Sequence, residues 1–359
     1  MSFSFNFRVS ESESNNRTSN GSSEAVSVTA KKKKQQKRSI KSSFEWLYKE
    51  DNSDSVSFLD SLLQNDSPDN EIISIAERKH LRGIDGVFFY DDDGKKKNDY
   101  LLRVREESAS FRNKNTDLVP GVYEGGLKVW ECSIDLCRFF HSQSIDIHGY
   151  ILEIGAGHGL PGIWALKHAI SKSQNYNTQN ANASRDSDCF VAFSDYNDFV
   201  VRDVTMQNVA INVKDAYSKT ENQPQEIAHW LKEHVAFGAG DWLAMSDDLL
   251  CEDPNQPKPP AIPQNGLFDY ILASETNYSK ESTRETAELL IRHLKPGTGV
   301  AYISTKRYYF GVGGGTRCFC AALQNNDTHK FHIEILEVYD NGAGNIRELL
   351  LIKSLHLED

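Results

Sequence analysis

From residue 150 onward, short apolar runs alternate with amphipathic stretches, and most of the runs stop abruptly at glycine, acidic or hydroxyl residues. Tyr150–Ile154, Cys189–Phe193, His234–Phe237, Phe268–Ala273 and Gly299–Thr305 are such runs. They suit buried parallel strands covered on both faces. Helical spacing fills the gaps at Glu131–His141, from near Pro161 through Ile163–Ile170, at Asn197–Asn212 and at Lys280–Leu294, where Lys-Pro-Gly ends the pattern. Two further runs, Phe331–Tyr339 and Ile346–Lys353, are joined by the short turn NGAGN. A hairpin after a parallel set makes the last strand antiparallel, which right-handed crossovers alone do not produce. The expected architecture is a doubly wound α/β sheet of seven strands with an antiparallel C-terminal strand. Ahead of it, Val87–Tyr90 and Tyr100–Val104 flank DDDGKKKND and predict a β-hairpin.

The N-terminal part follows a different pattern. Residues 11–43 are rich in Ser, Asn, Glu and Lys without apolar periodicity, which reads as disorder. We expect a polar, largely disordered arm over 1–75 and a folded domain over 76–359, with flexible inserts near 171–188 and 246–266. The arm carries the basic tract Lys31–Arg38, which fits an import signal, a nucleic-acid contact or a plainly solvated tail. Phe44, Trp46, Leu47 and Tyr48 suggest a short docking segment on that arm.

Composition narrows the function classes. The net charge of −11 does not suit a protein that coats nucleic acid, and no direct nucleic-acid contact is expected beyond one by the 31–38 tract. An acidic surface favours a basic partner. No apolar run is long enough for a membrane span. The six cysteines form no C-x-x-C pair, no H-E-x-x-H occurs, and no metal is expected.

The most informative stretch is YILEIGAGHGLPG, Tyr150–Gly162, a strand, a glycine-rich turn and a helix start. Such a turn brings backbone close to a ligand, and the helix end offers free N–H groups. The dinucleotide fingerprint G-x-G-x-x-G needs its third glycine where Leu160 stands, and here it comes one residue early, at Gly159. Glu153 puts a carboxylate before the turn, where a pyrophosphate is unwelcome and an ammonium is welcome. S-adenosylmethionine, with an amino acid end in place of a pyrophosphate, fits that better; a plain structural turn is the competing reading.

Other strand ends carry candidate chemistry. Asp195 closes the second strand, where nucleotide-binding α/β folds hold ribose hydroxyls. Gly240, Asp241 and Trp242 close the third, where an Asp can accept the adenine amine while its neighbour packs on the ring. Ser274, Glu275, Thr276, Asn277 and Tyr278 close the fourth, and KRYYFGVGGG follows the fifth. In LVPGVYEGGLKVW, an aromatic can lie over adenine or flank a sulfonium, or Trp130 can simply anchor its helix to the sheet.

Together EIGAGHG, Asp195, GDW and SETNY resemble the class I (seven-β-strand) S-adenosylmethionine-dependent methyltransferases, which have a Rossmann-like sheet. YEGGLKVWEC and YFGVGGG further resemble the histidine-specific protein methyltransferases. The resemblance covers Leu118 to Leu351. It implies that Trp130 and Glu131 border the cofactor and that Gly155, Gly157 and Gly159 hold its methionine part. Asp195 would bind the ribose, Asp241 and Trp242 the adenine, and Ser274 would lie near the sulfonium. Glu153, Asn197 and Gly240 complete the expected cofactor set. It further implies a histidine of a basic large-subunit ribosomal protein as substrate, a nuclear (or nucleolar) and cytoplasmic location, and a monomer.

Glu275 and Tyr278 are the expected catalytic residues. A neutral imidazole already has a lone pair and needs an acceptor for its other N–H. Glu275 is placed to be that acceptor; capping the helix near Lys280 is its competing role. A lysine methyltransferase of the same fold, a non-catalytic cofactor-binding module and a nicotinamide dehydrogenase are the rival readings. Leu160 and Glu153 argue against the last.

Overall fold

The computed structural model describes residues 43–47, 72–74, 89–90, 96–97, 101–103, 123–176, 188–217, 224–253, 255, 257–326, 328–340, 342 and 344–356. The first strands are β1 (Phe44–Trp46), β2 (Ile72–Ser74), β3 (Phe89–Tyr90), β4 (Lys96–Lys97) and β5 (Leu101–Arg103). They are followed by α1 (Glu131–Ser142), β6 (Gly149–Ile154), α2 (Leu160–Tyr176), β7 (Cys189–Asp195) and α3 (Asp198–Val200). A π-helical turn (Val201–Thr205) leads into α4 (Met206–Tyr217), α5 (Pro224–His234), β8 (Val235–Gly240) and α6 (Trp242–Leu249). The chain ends with β9 (Tyr270–Ser274), α7 (Lys280–His293), β10 (Val300–Lys306), α8 (Thr316–Gln324), β11 (Phe331–Asp340) and β12 (Ile346–Ser354).

The main sheet has eight strands in the order β1-β8-β7-β6-β9-β10-β12-β11. Strands β6 to β10 run parallel to one another, whereas β12 is antiparallel to both β10 and β11. Seven of these strands are the expected ones, with β12 inserted between β10 and β11. The Rossmann-like α/β architecture with its antiparallel C-terminal strand is therefore the fold. The eighth strand, β1, pairs antiparallel with β8.

Alternation along the strands explains the two-sided core. Ile151 packs with Phe140, Trp164, Val209 and Leu231 on one face, whereas its neighbour Leu152 packs with Met245, Leu249, Leu290 and Phe319 on the other. Successive strand side chains point to opposite faces, so a strand covered on both must be apolar throughout. One buried charge in this interior is held in an ion pair. Asp135 of α1, 1% exposed, receives Arg347 Nε of β12 at 2.5 Å.

Four expectations are corrected. Phe44–Trp46 is a strand of the sheet, although residue 75 was the expected end of the arm: Trp46 is buried in the core and its Nε1 donates to Asp248 Oδ2 at 2.7 Å. The expected hairpin is re-paired. Phe89–Tyr90 pairs with Lys96–Lys97 inside the expected turn, and Leu101–Arg103 pairs with Ile72–Ser74. The insert expected from residue 171 starts later, because α2 runs to Tyr176; residues 177–187 lie outside the described residues. The segment 246–266 is packed rather than loose. Ser246–Leu249 is helical, Ala261 and Ile262 are buried, and Lys258 Nζ donates to the carbonyls of Leu249 and Gln264. Proline content misled there, since the apolar pair Ala261–Ile262 decides the packing. Helices α5 and α8 were not foreseen, and the basic tract 31–38 lies outside the described residues.

Candidate active site

The chain runs from β6 outward to β7 and β8, then crosses back to β9 on the other side of β6. That reversal opens a crevice at the carboxyl ends of the strands, where doubly wound sheets bind ligands. A cleft of about 940 Å³, its open mouth included, lies there, lined by residues following β6, β7, β8 and β9 and by the segment before α1.

The glycine turn after β6 forms its floor. Gly157 has φ +51, and a Cβ there would stand 3.3 Å from the carbonyl oxygen of Gly126, so the two glycine segments pack backbone to backbone. The turn is held from behind. Thr205 Oγ1, in the π-helical turn, donates to Gly157 O at 2.7 Å, and Asn208 Nδ2 donates to His158 O at 3.2 Å. A π-turn is a common device beside functional sites, and here it turns Thr205 toward the loop.

Asp195 joins this floor to the next strand. Its Oδ2 accepts from Gly157 N at 2.9 Å and its Oδ1 from Asn197 N at 3.1 Å. Burial raises its carboxyl from 3.8 to about 6, against the lowering effect of these amides. Asp241 uses Oδ1 to cap α6, accepting from Leu243 N and Ala244 N at 2.9 and 3.0 Å. Only its other oxygen is left for a ligand. Trp242 is buried beside it, and its Nε1 has no partner among the described residues.

The far wall is the acceptor end. Glu275 follows β9 with φ +58, a left-handed conformation that is uncommon for a residue other than glycine. Its Oε2 receives the Tyr309 hydroxyl and lies 3.4 Å from Lys306 Nζ. Its Oε1 is buried with no partner among the described residues. Burial and the Glu275 charge push the Tyr309 hydroxyl well above its ordinary value. Nearby, Tyr278 donates to Glu124 Oε2, while Trp130 Nε1 donates to Gly125 O at 3.0 Å. Glu275 does not cap α7: Ser279 does, in a capping box with Ser282.

Nine of the expected residues line the cleft: Trp130, Gly155, Gly157, Asp195, Asp241, Trp242, Ser274, Glu275 and Tyr278. Five do not. Glu153 points behind the turn, where its Oε2 accepts from Gly162 N at 2.8 Å; it braces the start of α2 and faces no ligand ammonium. Gly159 packs against the Phe193 ring. Gly240 has φ +134, and a Cβ there would collide with the backbone of Ser43 and Phe44, so this glycine serves the β1 pairing. Asn197 holds the overlying segment, accepting from Glu124 N at 3.0 Å. Glu131 is in the first turn of α1, outside the lining. The reading missed Glu124, His158, Thr276, Ser282 and Glu285, which do line the cleft. Lys306 and Tyr309, from the KRYYFGVGGG stretch, contact Glu275 Oε2 without lining the cleft. The YEGG and SETNY stretches contained a signal for Glu124 and Thr276; nothing local marks Ser282 or Glu285.

The lining charges select the ligand. Among the described lining residues, five carboxylates (Glu124, Asp195, Asp241, Glu275, Glu285) face one lysine, Lys128. That wall repels a pyrophosphate and accommodates a cationic sulfonium and ammonium. The buried, unpartnered nitrogens of His158 and Trp242 and the Ser274 hydroxyl add polar groups for a nucleoside and an amino acid end. S-adenosylmethionine fits this set; a dinucleotide does not.

No family model matches the sequence. Among curated proteins, "Histidine protein methyltransferase 1 homolog" of Dictyostelium discoideum is 34% identical over 238 residues, covering 66% of this chain and 60% of that protein. The protein of the same name from Rattus norvegicus is 32% identical over 249 residues, covering 66% and 58%. "Histidine protein methyltransferase 1" of Saccharomyces cerevisiae is 27% identical over 274 residues, covering 66% and 67%. The chain thus spans about 60% of the length of the first of these relatives. Among solved structures, magnesium protoporphyrin IX methyltransferase from Synechocystis with bound SAH aligns at 10% identity and TM-score 0.36, over 62% of this chain and 81% of that one. At such a TM-score the alignment carries no weight of its own, and the fold assignment rests on strand order and direction. On a doubly wound seven-strand sheet with one added edge strand, the chain is similar over 66% of its length to proteins named histidine protein methyltransferase 1.

Proposed function

We propose that the protein is a protein-histidine N-methyltransferase that takes its methyl group from S-adenosylmethionine. The observation that carries this reading is the buried Oε1 of Glu275, without a hydrogen-bond partner among the described residues, in the wall of the cleft whose floor is the glycine turn. The similarity to the histidine protein methyltransferases supports it independently.

Bound there, the cofactor supplies a methyl group on a sulfonium, which a nitrogen lone pair takes while the C–S electron pair stays on sulfur. The work of the chain is to hold the reacting atoms in line. Gly155, Gly157, Asp195, Asp241 and Trp242 hold the cofactor, and the acidic wall offsets its charge. At the acceptor end, Glu275 Oε1 accepts the N–H of a neutral imidazole, which fixes the tautomer and leaves the other nitrogen's lone pair free. As the ring gains positive charge, the same carboxylate stabilises it. A lysine ammonium would first have to lose a proton.

As substrate we propose a histidine in a basic protein of the large ribosomal subunit, reached by a monomeric enzyme in the nucleus and cytoplasm. The net charge of −11 is compatible with a basic substrate. The test is incubation with labelled S-adenosylmethionine and total ribosomal proteins, followed by hydrolysis. Methylhistidine on a large-subunit protein is the expected product. Methyllysine alone would move the substrate class, and tight cofactor binding without transfer to any protein would favour a binding module. Imaging of a tagged full-length chain tests the location; exclusion from both compartments would overturn that part.

A further inference from the structure

The cleft poses a charge problem. Its carboxylates outnumber its single lining lysine five to one, and such a wall should attract a lysine ammonium at the acceptor end as readily as it accommodates a sulfonium. The residues in contact with Glu275 resolve this. Lys306 Nζ lies 3.4 Å from Glu275 Oε2, with the two side chains 19% and 6% exposed. The same ammonium sits over the rings of Trp130 and Tyr309, at 5.1 and 5.3 Å from their centroids. The Tyr309 hydroxyl donates to the same Oε2. Glu275 lines the cleft whereas Lys306 and Tyr309 do not, and both contact Oε2, so buried Oε1 keeps no hydrogen-bond partner among the described residues.

From this arrangement we infer that Lys306 is a specificity-determining positioning residue: by offsetting part of the Glu275 charge, it leaves Oε1 an acceptor for a neutral N–H whose ring gains charge only as the methyl group arrives, and a weaker counter-ion for a full ammonium. This rests on the methyl-transfer reading of the site and deepens it, since it states why the acceptor is an imidazole. Lys306 does not touch the substrate; it acts through Glu275. Two features keep it there. It occupies the last position of β10, beside β9, whose end carries Glu275. Two aromatic faces also compensate for its partial loss of hydration. With Lys306 removed, Glu275 keeps its Tyr309 hydrogen bond and gains an uncompensated negative charge in a partly buried wall, where charge interactions are stronger than in water.

The experiment compares wild type, Lys306→Met and Lys306→Arg on two degenerate peptide libraries that differ only in a fixed central histidine or lysine. Transfer from labelled S-adenosylmethionine is read by amino acid analysis. Lys306→Met should shift the histidine-to-lysine transfer ratio toward lysine by roughly tenfold or more, and Lys306→Arg should keep it near wild type. A purely structural role would lower both transfers together and leave the ratio unchanged, which would overturn the inference. A ratio that moves equally in both variants would also overturn it, since charge would then not be the cause. If Lys306→Met is too slow to assay, 4-methylimidazole and n-butylamine are titrated against the S-adenosylhomocysteine-loaded proteins. The amine should gain affinity relative to the imidazole in Lys306→Met only, and an unchanged ratio again sinks the idea. Wild type that transfers to neither library, and discriminates between neither analogue, would instead reject the methyl-transfer reading.

Discussion

The amide of Gly157 donates to Oδ2 of Asp195 at 2.9 Å, tying the glycine turn of one strand to the carboxylate that ends the next. Burial raises the Asp195 carboxyl to about 6, so lowering the pH through that value protonates it. A protonated carboxyl loses acceptor capacity toward both the turn and a ligand hydroxyl. Affinity for S-adenosylhomocysteine, measured by calorimetry, should therefore fall between pH 7 and pH 5. Asp195→Asn should bind about tenfold more weakly at pH 7 and show a flatter profile. A wild-type profile that is flat over this range would reject the assignment.

Gly157 is a position in the turn where a side chain would disturb the ligand floor. Its φ of +51 and the 3.3 Å approach of Gly126 O leave no relaxed place for a methyl group. Gly157→Ala should retain the fold by circular dichroism while weakening cofactor binding about tenfold or more. Unchanged affinity would show that the glycine segments do not set the shape of the site.

Glu275→Gln keeps the size of the side chain and an oxygen acceptor but removes the charge that, in the proposed transfer, would stabilise a developing imidazolium. Turnover should drop roughly a hundredfold with cofactor affinity unchanged. Full turnover in this variant would remove Glu275 from the mechanism.

Glu153 offers a test of what the buried carboxylate behind the turn does. Burial raises it from 4.5 to about 8. Because the folded value lies above the unfolded one, its contribution to stability is full below about 4.5 and is lost as the pH rises through about 8. Wild-type resistance to urea should decline between about pH 5 and pH 8, and Glu153→Gln should decline less. An equal decline in both proteins would assign the loss to other groups.

Asp135 and Arg347 form a buried ion pair joining α1 to β12. Asp135→Ala would leave the guanidinium, 12% exposed, without its carboxylate, at a cost of about 3–5 kcal/mol in unfolding free energy. The double variant Asp135→Ala with Arg347→Met should recover part of that loss. Recovery of none would mean that packing, not the stranded charge, is responsible.

The sequence by itself determined what depends on near neighbours. Runs such as Tyr150–Ile154 and Ile346–Lys353 can only be strands in a core, because period-2 alternation buries both of their faces. Glycines at 155 and 157, spaced after such a strand, imply a turn that admits backbone but no side chain. The acidic and hydroxyl residues at the strand ends, Asp195, Asp241, Ser274 and Glu275, needed only the assumption of a parallel sheet to be brought to one crevice.

Tertiary structure alone decided which way each of those side chains faces and what already occupies it. Glu153 is one residue from facing differently, and the pleat turns it behind the glycine turn, where Gly162 N takes it. Gly240 reads as part of a ligand motif until the backbone of Ser43 and Phe44 lies against it, from about two hundred residues away along the chain. Glu275, Lys306 and Tyr309 meet because β9 and β10 are parallel neighbours, with the last residue of β9, Ser274, paired to Ser304. Long-range contacts of this kind leave no period or spacing in the chain. They are set by the packing of strands and helices, and the charge balance at the acceptor end exists only once that packing is complete.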